Sequence, residues 1–245
     1  MSVHLGASGA MLPRLILIIT FGVALFAGTA HAQVLEMDVP EPGPDAAEVV
    51  APFEALELSA RLARLGEEAG DPWLLATAAR IRMSRSVQLG TPTAESAPEP
   101  IPGTQPSVPV TSAEVWPDAA RGWLDEAERL ADDDPAVLSY VATIRALEFK
   151  GRTGGPLVSL SRLGGGQRQS FAERFVPGRP AVVYVEGDGD AALGVTVTTQ
   201  GRTVCQNLAP GDVKLCTWTA TAPGDYLVEV RNLGKATNRY AYGTN

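Results

Sequence analysis

The sequence predicts an α+β protein of two segregated parts, an N-terminal α-helical hairpin repeat followed by a C-terminal all-β jelly-roll-like sandwich. Two observations carry this. From Ala46 to residue 150, outside a proline-rich stretch at 91–112, the apolar residues recur at intervals of three and four, the helical period, whereas from Phe171 they alternate with polar ones, the strand period. In addition, "DPWLLATAARIR" from Asp71 is written again, without gaps, as "DPAVLSYVATIR" from Asp134. The Asp-Pro pair, Leu75 and Leu138, Ala79 and Ala142, and the Ile-Arg pairs at 81–82 and 144–145 coincide, and internal repetition of this kind marks stacked helical units.

The chain opens on a segment with the layout of a secretory signal peptide, residues 1–32. Arg14 precedes an apolar run from Leu15 to Ala27, and Ala30-His31-Ala32 gives a small-x-small cleavage site. An uncleaved anchor is the rival reading, but the run is short against the roughly 20 residues that a spanning helix needs. Arginines far outnumber lysines, which are Lys150, Lys214 and Lys235 alone. With the many alanines and glycines, this suggests a GC-rich bacterial genome and places the mature protein in the periplasm of a Gram-negative cell, or secreted beyond it. No stable membrane insertion is expected after cleavage.

Export removes chemistry. The two histidines, His4 and His31, both leave with the signal peptide, so Ser-His-Asp and Cys-His nucleophiles and imidazole-bound zinc are excluded. The net charge of −8 becomes more negative when Arg14 is lost, which argues against nucleic acid or anionic lipid as a partner. No G-x-S-x-G elbow, phosphate loop or S-x-x-K motif is present. The densest carboxylate cluster, Asp132-Asp133-Asp134, stands where a helix begins at Pro135 and is explained by capping and the helix dipole. The protein is therefore expected not to be an enzyme.

After an acidic lead at 33–45, the helical region is expected over 46–150. Leu58, Leu62, Leu65 and Ala69 mark one face of a first helix; Asp71 caps a second, with Pro72 in its first turn and Leu74, Ala78 and Ile81 at helical spacing. Ala120, Trp123, Ala127 and Leu130 mark a third, and Asp134-Pro135 opens a fourth. The stretch "GWLDEAERLADDDPAVLSYV" resembles a tetratricopeptide repeat at its inter-repeat turn. Between the hairpins, residues 91–112 are proline-rich and are expected to form an exposed loop, either a spacer or a ligand for another protein's groove. A glycine-rich linker is expected over 151–169.

Residues 170–245 carry the strand period. "AVVYVEG", "LGVTVTT", "TVCQNL", "VKLCTWTA", "YLVEVRN" and "NRYAYGT" read as six strands and "SFAERFV" as a seventh, with no helix between them, the signature of an antiparallel sandwich. If the strands around Pro210-Gly211 pair symmetrically, Ala209 faces Asp212 and Cys205 faces Cys216, within bridging reach at a close ladder pair. In an oxidising compartment this predicts a cross-strand disulfide; a redox pair or a two-thiolate metal site is the alternative, without C-x-x-C spacing to support it. In "DYLVEVRN", Tyr226, Val228 and Val230 should face the core and Leu227, Glu229 and Arg231 the outside, with Tyr240 and Tyr242 sharing a face. Arg231, Asn232 and Lys235, around the "NLGKATN" loop, form a candidate binding patch.

The runs "FAERFVPGRPAVVYVEGDGDAALGVTV", "TWTATAPGDYLVEVRN" and "NRYAY" resemble the bacterial pre-peptidase C-terminal domain over about 75 residues, a third of the chain. The resemblance implies a non-catalytic jelly-roll-like sandwich of the kind attached to secreted enzymes for targeting, folding or substrate binding. Some relatives hold calcium, and Asp188 and Asp190 match the family's acidic turn; a solvated turn is the alternative. No cofactor other than this calcium is expected. No protease domain precedes the sandwich here, only helices. The expectation is an exported, non-enzymatic binding or scaffold protein acting on another protein in the cell envelope. The alternatives are a carbohydrate or envelope-polymer binding module and a calcium-dependent stabilising module of a secreted enzyme system.

Overall fold

The structure, a computed structural model, describes residues 45–85, 87–90, 98–102, 119–147, 156–221 and 223–245. The expected signal peptide, the acidic lead up to residue 44, most of the proline-rich loop and residues 151–155 of the expected linker lie outside the described residues. The fold is α+β, with helices first in the chain and a two-sheet sandwich after them.

Helices α1 (Ala46–Ala69) and α2 (Pro72–Met83) form the first hairpin, and α3 (Ala119–Leu130) and α4 (Pro135–Arg145) the second. Both repeats start as the sequence dictates. Asp71 accepts from the Trp73 and Leu74 amides at 2.8 and 3.2 Å, and Asp134 accepts from the Ala136 amide at 2.8 Å, each with proline at the position that has no amide to satisfy. Gly70 ends α1 at φ +62, a left-handed cap.

The packing face of α1 differs from the expected one. Leu58 and Leu65 are exposed, and the buried line is Phe53, Leu56, Ala60, Ala63 and Gly66. Small residues win because the neighbours come close: a Cβ on Gly66 would lie 2.9 Å from Leu75 Cγ. In α3, by contrast, Ala120, Trp123 and Ala127 are buried as the spacing predicts.

The strands are β1 (Gln88–Gly90), β2 (Glu99–Pro100), β3 (Leu157–Leu163), β4 (Gln167–Arg174), β5 (Pro180–Gly187), β6 (Leu193–Thr199), β7 (Arg202–Asn207), β8 (Val213–Thr219), β9 (Asp225–Asn232) and β10 (Asn238–Thr244). One sheet runs β1-β3-β10-β5-β8 and the other β2-β4-β9-β6-β7. The seven expected strands are β4 to β10. The linker expectation is corrected: Leu157–Leu163 is a strand paired antiparallel with β10, and the glycines after it form the crossing from one sheet to the other. A Cβ on Gly165 would lie 2.1 Å from the Lys235 carbonyl oxygen, so these glycines serve close backbone approach. The chain just before the proline-rich segment and a short stretch within it also reach the sandwich, where β1 runs parallel to β3 and β2 pairs with β4.

The disulfide Cys205–Cys216 is present, with Cα atoms 5.9 Å apart, but the expected hairpin around it is not. Strand β7 pairs with β6, opposing Cys205 to Val197, while β8 pairs with β5, opposing Cys216 to Val183. The Pro210-Gly211 turn carries the chain between sheets, and the bridge joins their two edge strands. The Asn207 side-chain amide adds a second tie by donating to the Leu215 carbonyl at 3.2 Å. The turn is held in this crossing by Asp212, whose carbonyl accepts from the Gly187 amide, and by the Gly211 carbonyl, which accepts from Leu193.

Three apolar clusters result. Between the sheets lie Leu163, Phe171, Val183, Val185, Leu193, Val195, Val197, Tyr226, Val228, Val230, Tyr240 and Tyr242, with Phe171 stacked on Tyr242 at 4.2 Å. A second cluster lies within the helices. The third joins the two parts: Phe53, Leu56 and Ala60 of α1 pack on Val158, Val182, Tyr184 and Ala241, the outer face of the β5 sheet. Within this contact Arg82 and Glu186 form an ion pair at 2.9 Å with their side chains only 7% and 1% exposed.

Replacing Arg82 with Met leaves Glu186 buried without its cation, and urea denaturation is expected to show a loss of about 3–5 kcal/mol; the Arg82→Met, Glu186→Gln pair recovers most of it. Cys205→Ser with Cys216→Ser reopens a loop of sequence separation 11, with an expected loss of about 3 kcal/mol. Hydrogen exchange should then rise first at the amides of β7 and β8.

Candidate functional site

Asp188 and Asp190 lie on the β5–β6 turn. Asp188 Oδ2 accepts from the Arg239 amide at 3.0 Å, which ties the turn to β10, and Oδ1 accepts from the Asp190 amide at 3.3 Å, which closes the turn on itself. The neighbouring Asp212 accepts from the Gly189 amide at 2.6 Å and pairs with Arg64 of α1 at 3.0 Å. Arg64 also donates to the Gly187 carbonyl at 3.0 Å. The cation in this acidic turn is therefore a guanidinium of the chain itself. Calcium takes six to eight oxygens, and among the described residues no three His, Cys, Asp or Glu side chains are grouped for a metal.

Of the expected patch of Arg231, Asn232 and Lys235, the structure withdraws Asn232 from the surface. Asn232 is 0% exposed; it donates to the Leu163 and Ala236 carbonyls at 2.9 and 2.8 Å and accepts from the Gly234 amide at 3.0 Å. An asparagine that closes a loop on itself serves the fold, and its side chain is unavailable to a partner. Arg231 and Lys235 remain at the surface, with Arg231 paired to Glu229. The outward row of β9 is as expected: Leu227 is exposed, and Glu229 and Arg231 are partly so. The β4-β9-β6 face around it carries Arg168, Ser170, Ala172, Gly194, Thr196 and Thr198, with no aromatic among the described residues.

The buried titratable groups are engaged in holding the structure. Glu186 accepts from Arg82 and, at 2.6 Å, from the Tyr184 hydroxyl, and burial beside this carboxylate pushes the phenol well above its ordinary value. Arg82 Nε donates to Ser59 at 2.8 Å, and the guanidinium lies 4.9 Å from the Trp123 ring centre. Lys214 is buried and donates to the Ala209 and Pro210 carbonyls, with desolvation lowering its pKa. The two tyrosines of the last strand bond across the sandwich, Tyr240 to Gln169 and Tyr242 to Glu173, each at 2.8 Å. Burial pushes Tyr240 up to about 12.

A different cluster lies at the surface, with Trp73 and Arg80 exposed and Tyr140 half-buried. Trp73, 43% exposed on α2, lies 5.5 Å from the Tyr140 ring on α4, and the fully exposed Arg80 donates to the Tyr140 hydroxyl at 3.5 Å. Trp73 and Arg80 are seven residues apart, on one side of α2, and the second hairpin brings Tyr140 beside them. Sequence reasoning missed this group. The available signal was the repeat itself: the position of Trp73 in the second copy is Ala136, and that of Tyr140 in the first is Thr77, so neither aromatic is needed by the repeat.

No protein family matches the chain, and no curated protein matches it. Among solved structures, the chain is similar to the pre-peptidase C-terminal domain of a collagenase from Bacillus anthracis, at 12% identity and a TM-score of 0.32, over 36% of this chain and 87% of that one. It is also similar to a de novo designed double-stranded β-helix, at 9% identity and a TM-score of 0.24, over 36% of this chain and 97% of that one. Among the described residues no helix is long and apolar enough to cross a membrane.

The Glu173–Tyr242 pair has a testable pH dependence. Desolvation raises the Glu173 pKa against the opposing hydrogen bond from Tyr242. A carboxyl whose pKa is higher in the folded state favours folding when protonated. Its contribution is full below the unfolded value and is lost as pH rises through the folded one. Relative to Glu173→Gln, the wild type is therefore expected to lose melting temperature as pH rises from about 4 to 7; a constant difference over that range would contradict the assignment.

Proposed function

We propose that this is an exported, non-catalytic protein that works by binding another protein through its helical surface, with the sandwich as the rigid body that presents it. The observation that carries the reading is the cluster of exposed Trp73 and Arg80 with half-buried Tyr140. Trp, Tyr and Arg are the residues enriched where binding energy concentrates.

Other features support it. The helices are tied to the sandwich by a buried ion pair, which suits a rigid presenting body better than a spacer. The buried ionisable groups are engaged in intramolecular contacts, which supports a non-catalytic role. The disulfide between sheet edges suits an oxidising compartment and, with the signal-like N-terminal sequence, supports export. Flat aromatic platforms are what sugar-binding faces use, and the open face of the sandwich lacks them among the described residues, so the envelope-polymer reading is not favoured.

Co-purification from an envelope extract with tagged protein tests this. Trp73→Ala is expected to weaken capture of the partner on the order of 30-fold, the effect of losing one central aromatic anchor, while Leu227→Ala on the open sheet retains it. Retention by Trp73→Ala with loss in Leu227→Ala would move the binding surface to the sandwich.

A further inference from the structure

We infer that the partner presents an acidic segment to the helical surface, an extended stretch of chain that lays an apolar side chain on Trp73 and sets a carboxylate, about three residues along, on Arg80. The inference rests on the reading of Trp73, Tyr140 and Arg80 as a protein-binding surface and adds the chemistry of what binds there.

Charge is segregated among the helices. The first helix of each hairpin is acidic, with five glutamates on α1 and Asp125, Glu126 and Glu128 on α3. The second helices contain no acidic residue, neither from Pro72 to Met83 nor from Pro135 to Arg145. The arginines differ accordingly. Arg61 and Arg64 of α1, Arg129 of α3 and Arg145 of α4 each have a carboxylate partner. Arg80 is fully exposed, and among the described residues its guanidinium bonds to the Tyr140 hydroxyl and to no carboxylate. Arg85, just beyond α2, is exposed and also has no carboxylate partner among the described residues. In a chain of net charge −8, two unpaired guanidiniums at one end of a face without acids favour an anionic partner. The planar fork of Arg80 has donors left to hold both oxygens of a carboxylate.

Geometry sets the spacing. Trp73 and Arg80 are seven residues apart on α2, about 10 Å at the helical rise, which extended chain covers in about three residues. Tyr140 touches both, with its ring 5.5 Å from that of Trp73 and its hydroxyl on Arg80. Thr77 stands between them on α2, and Ala136 and Thr143 lie one turn to either side of Tyr140 on α4, small side chains that let a backbone approach.

The helix starts set the direction. Asp71 and Asp134 are committed to the amides of the first turns of α2 and α4, with exposed Asp132 and Asp133 ahead of Asp134. A carboxylate placed over Trp73 would lie toward Asp71, whereas Arg80 is nine residues from it along the chain. The acid of the segment therefore belongs at the Arg80 end and its apolar residue at the Trp73 end.

Selection of a phage-displayed library of random dodecapeptides on the immobilised mature chain tests this. Wild type is expected to enrich peptides with an aromatic or aliphatic residue about three positions from Asp or Glu. A labelled peptide from that pool should bind Arg80→Glu on the order of tenfold more weakly, with Arg80→Lys between the two and circular dichroism unchanged in both. Its affinity for wild type should fall as salt is raised from about 50 to about 500 mM. Selected peptides that need Trp73 but lack acids, or acidic ones that bind Arg80→Glu as well as wild type, would overturn the acidic segment and leave the binding surface standing. Enrichment of nothing, or of peptides indifferent to Trp73→Ala, would overturn both.

Discussion

The Arg82 guanidinium enters the interface from α2 and meets three other elements there: Ser59 and the Leu56 carbonyl on α1, the Trp123 ring on α3 and the Glu186 carboxylate on β5. A buried ion pair is costly unless its remaining donors and acceptors are satisfied. Here Tyr184 supplies the second bond to Glu186. The apolar contact of Phe53, Leu56 and Ala60 with the sheet supplies burial but tolerates sliding, as apolar surfaces do. The directional contacts of Arg82 give that docking a single register, and Arg64 repeats the device at the β5–β6 turn.

This docking makes the two sheets unequal. The β5 sheet is covered on both faces, by the sandwich core and by α1, while the β9 sheet is covered on one. The difference is written in the strands. Ala181 to Val185 in β5 is an unbroken apolar run, all buried, whereas β9 alternates buried with exposed or half-buried positions. The unbroken run was the readable sign that a second layer lies over β5; alternation alone would have sufficed for a free sandwich. What stays open is the helical end of the molecule and the outer face of the β9 sheet.

Local features were legible because they are decided within a few residues. The Asp-Pro caps, the duplicated helix and strands β4 to β10 follow from spacing and from residue chemistry that act over one turn or one strand. The cysteine pairing was also legible, though for a geometric reason that does not hold: the two residues meet between sheets and not across a hairpin. Strand β3 was obscured by serines and flanking glycines, since its identity comes from pairing with β10 about 80 residues later. Asn232 looked like a surface residue because polarity was visible and its three loop contacts were not.

The sequence by itself determined the order of elements, where helices start, which residues alternate along each strand and the compartment its leader suggests. Only the tertiary structure decided that α1 buries its small residues and leaves Leu58 and Leu65 in water, that Glu186 is a partner and not a free carboxylate, and that Trp73, Arg80 and Tyr140 meet. Periodicity and capping are governed by neighbours within a few residues, so a short window contains their cause. A buried charge or a packing face is governed by the surface brought against it, and Arg82 and Glu186 are joined across 104 residues of chain.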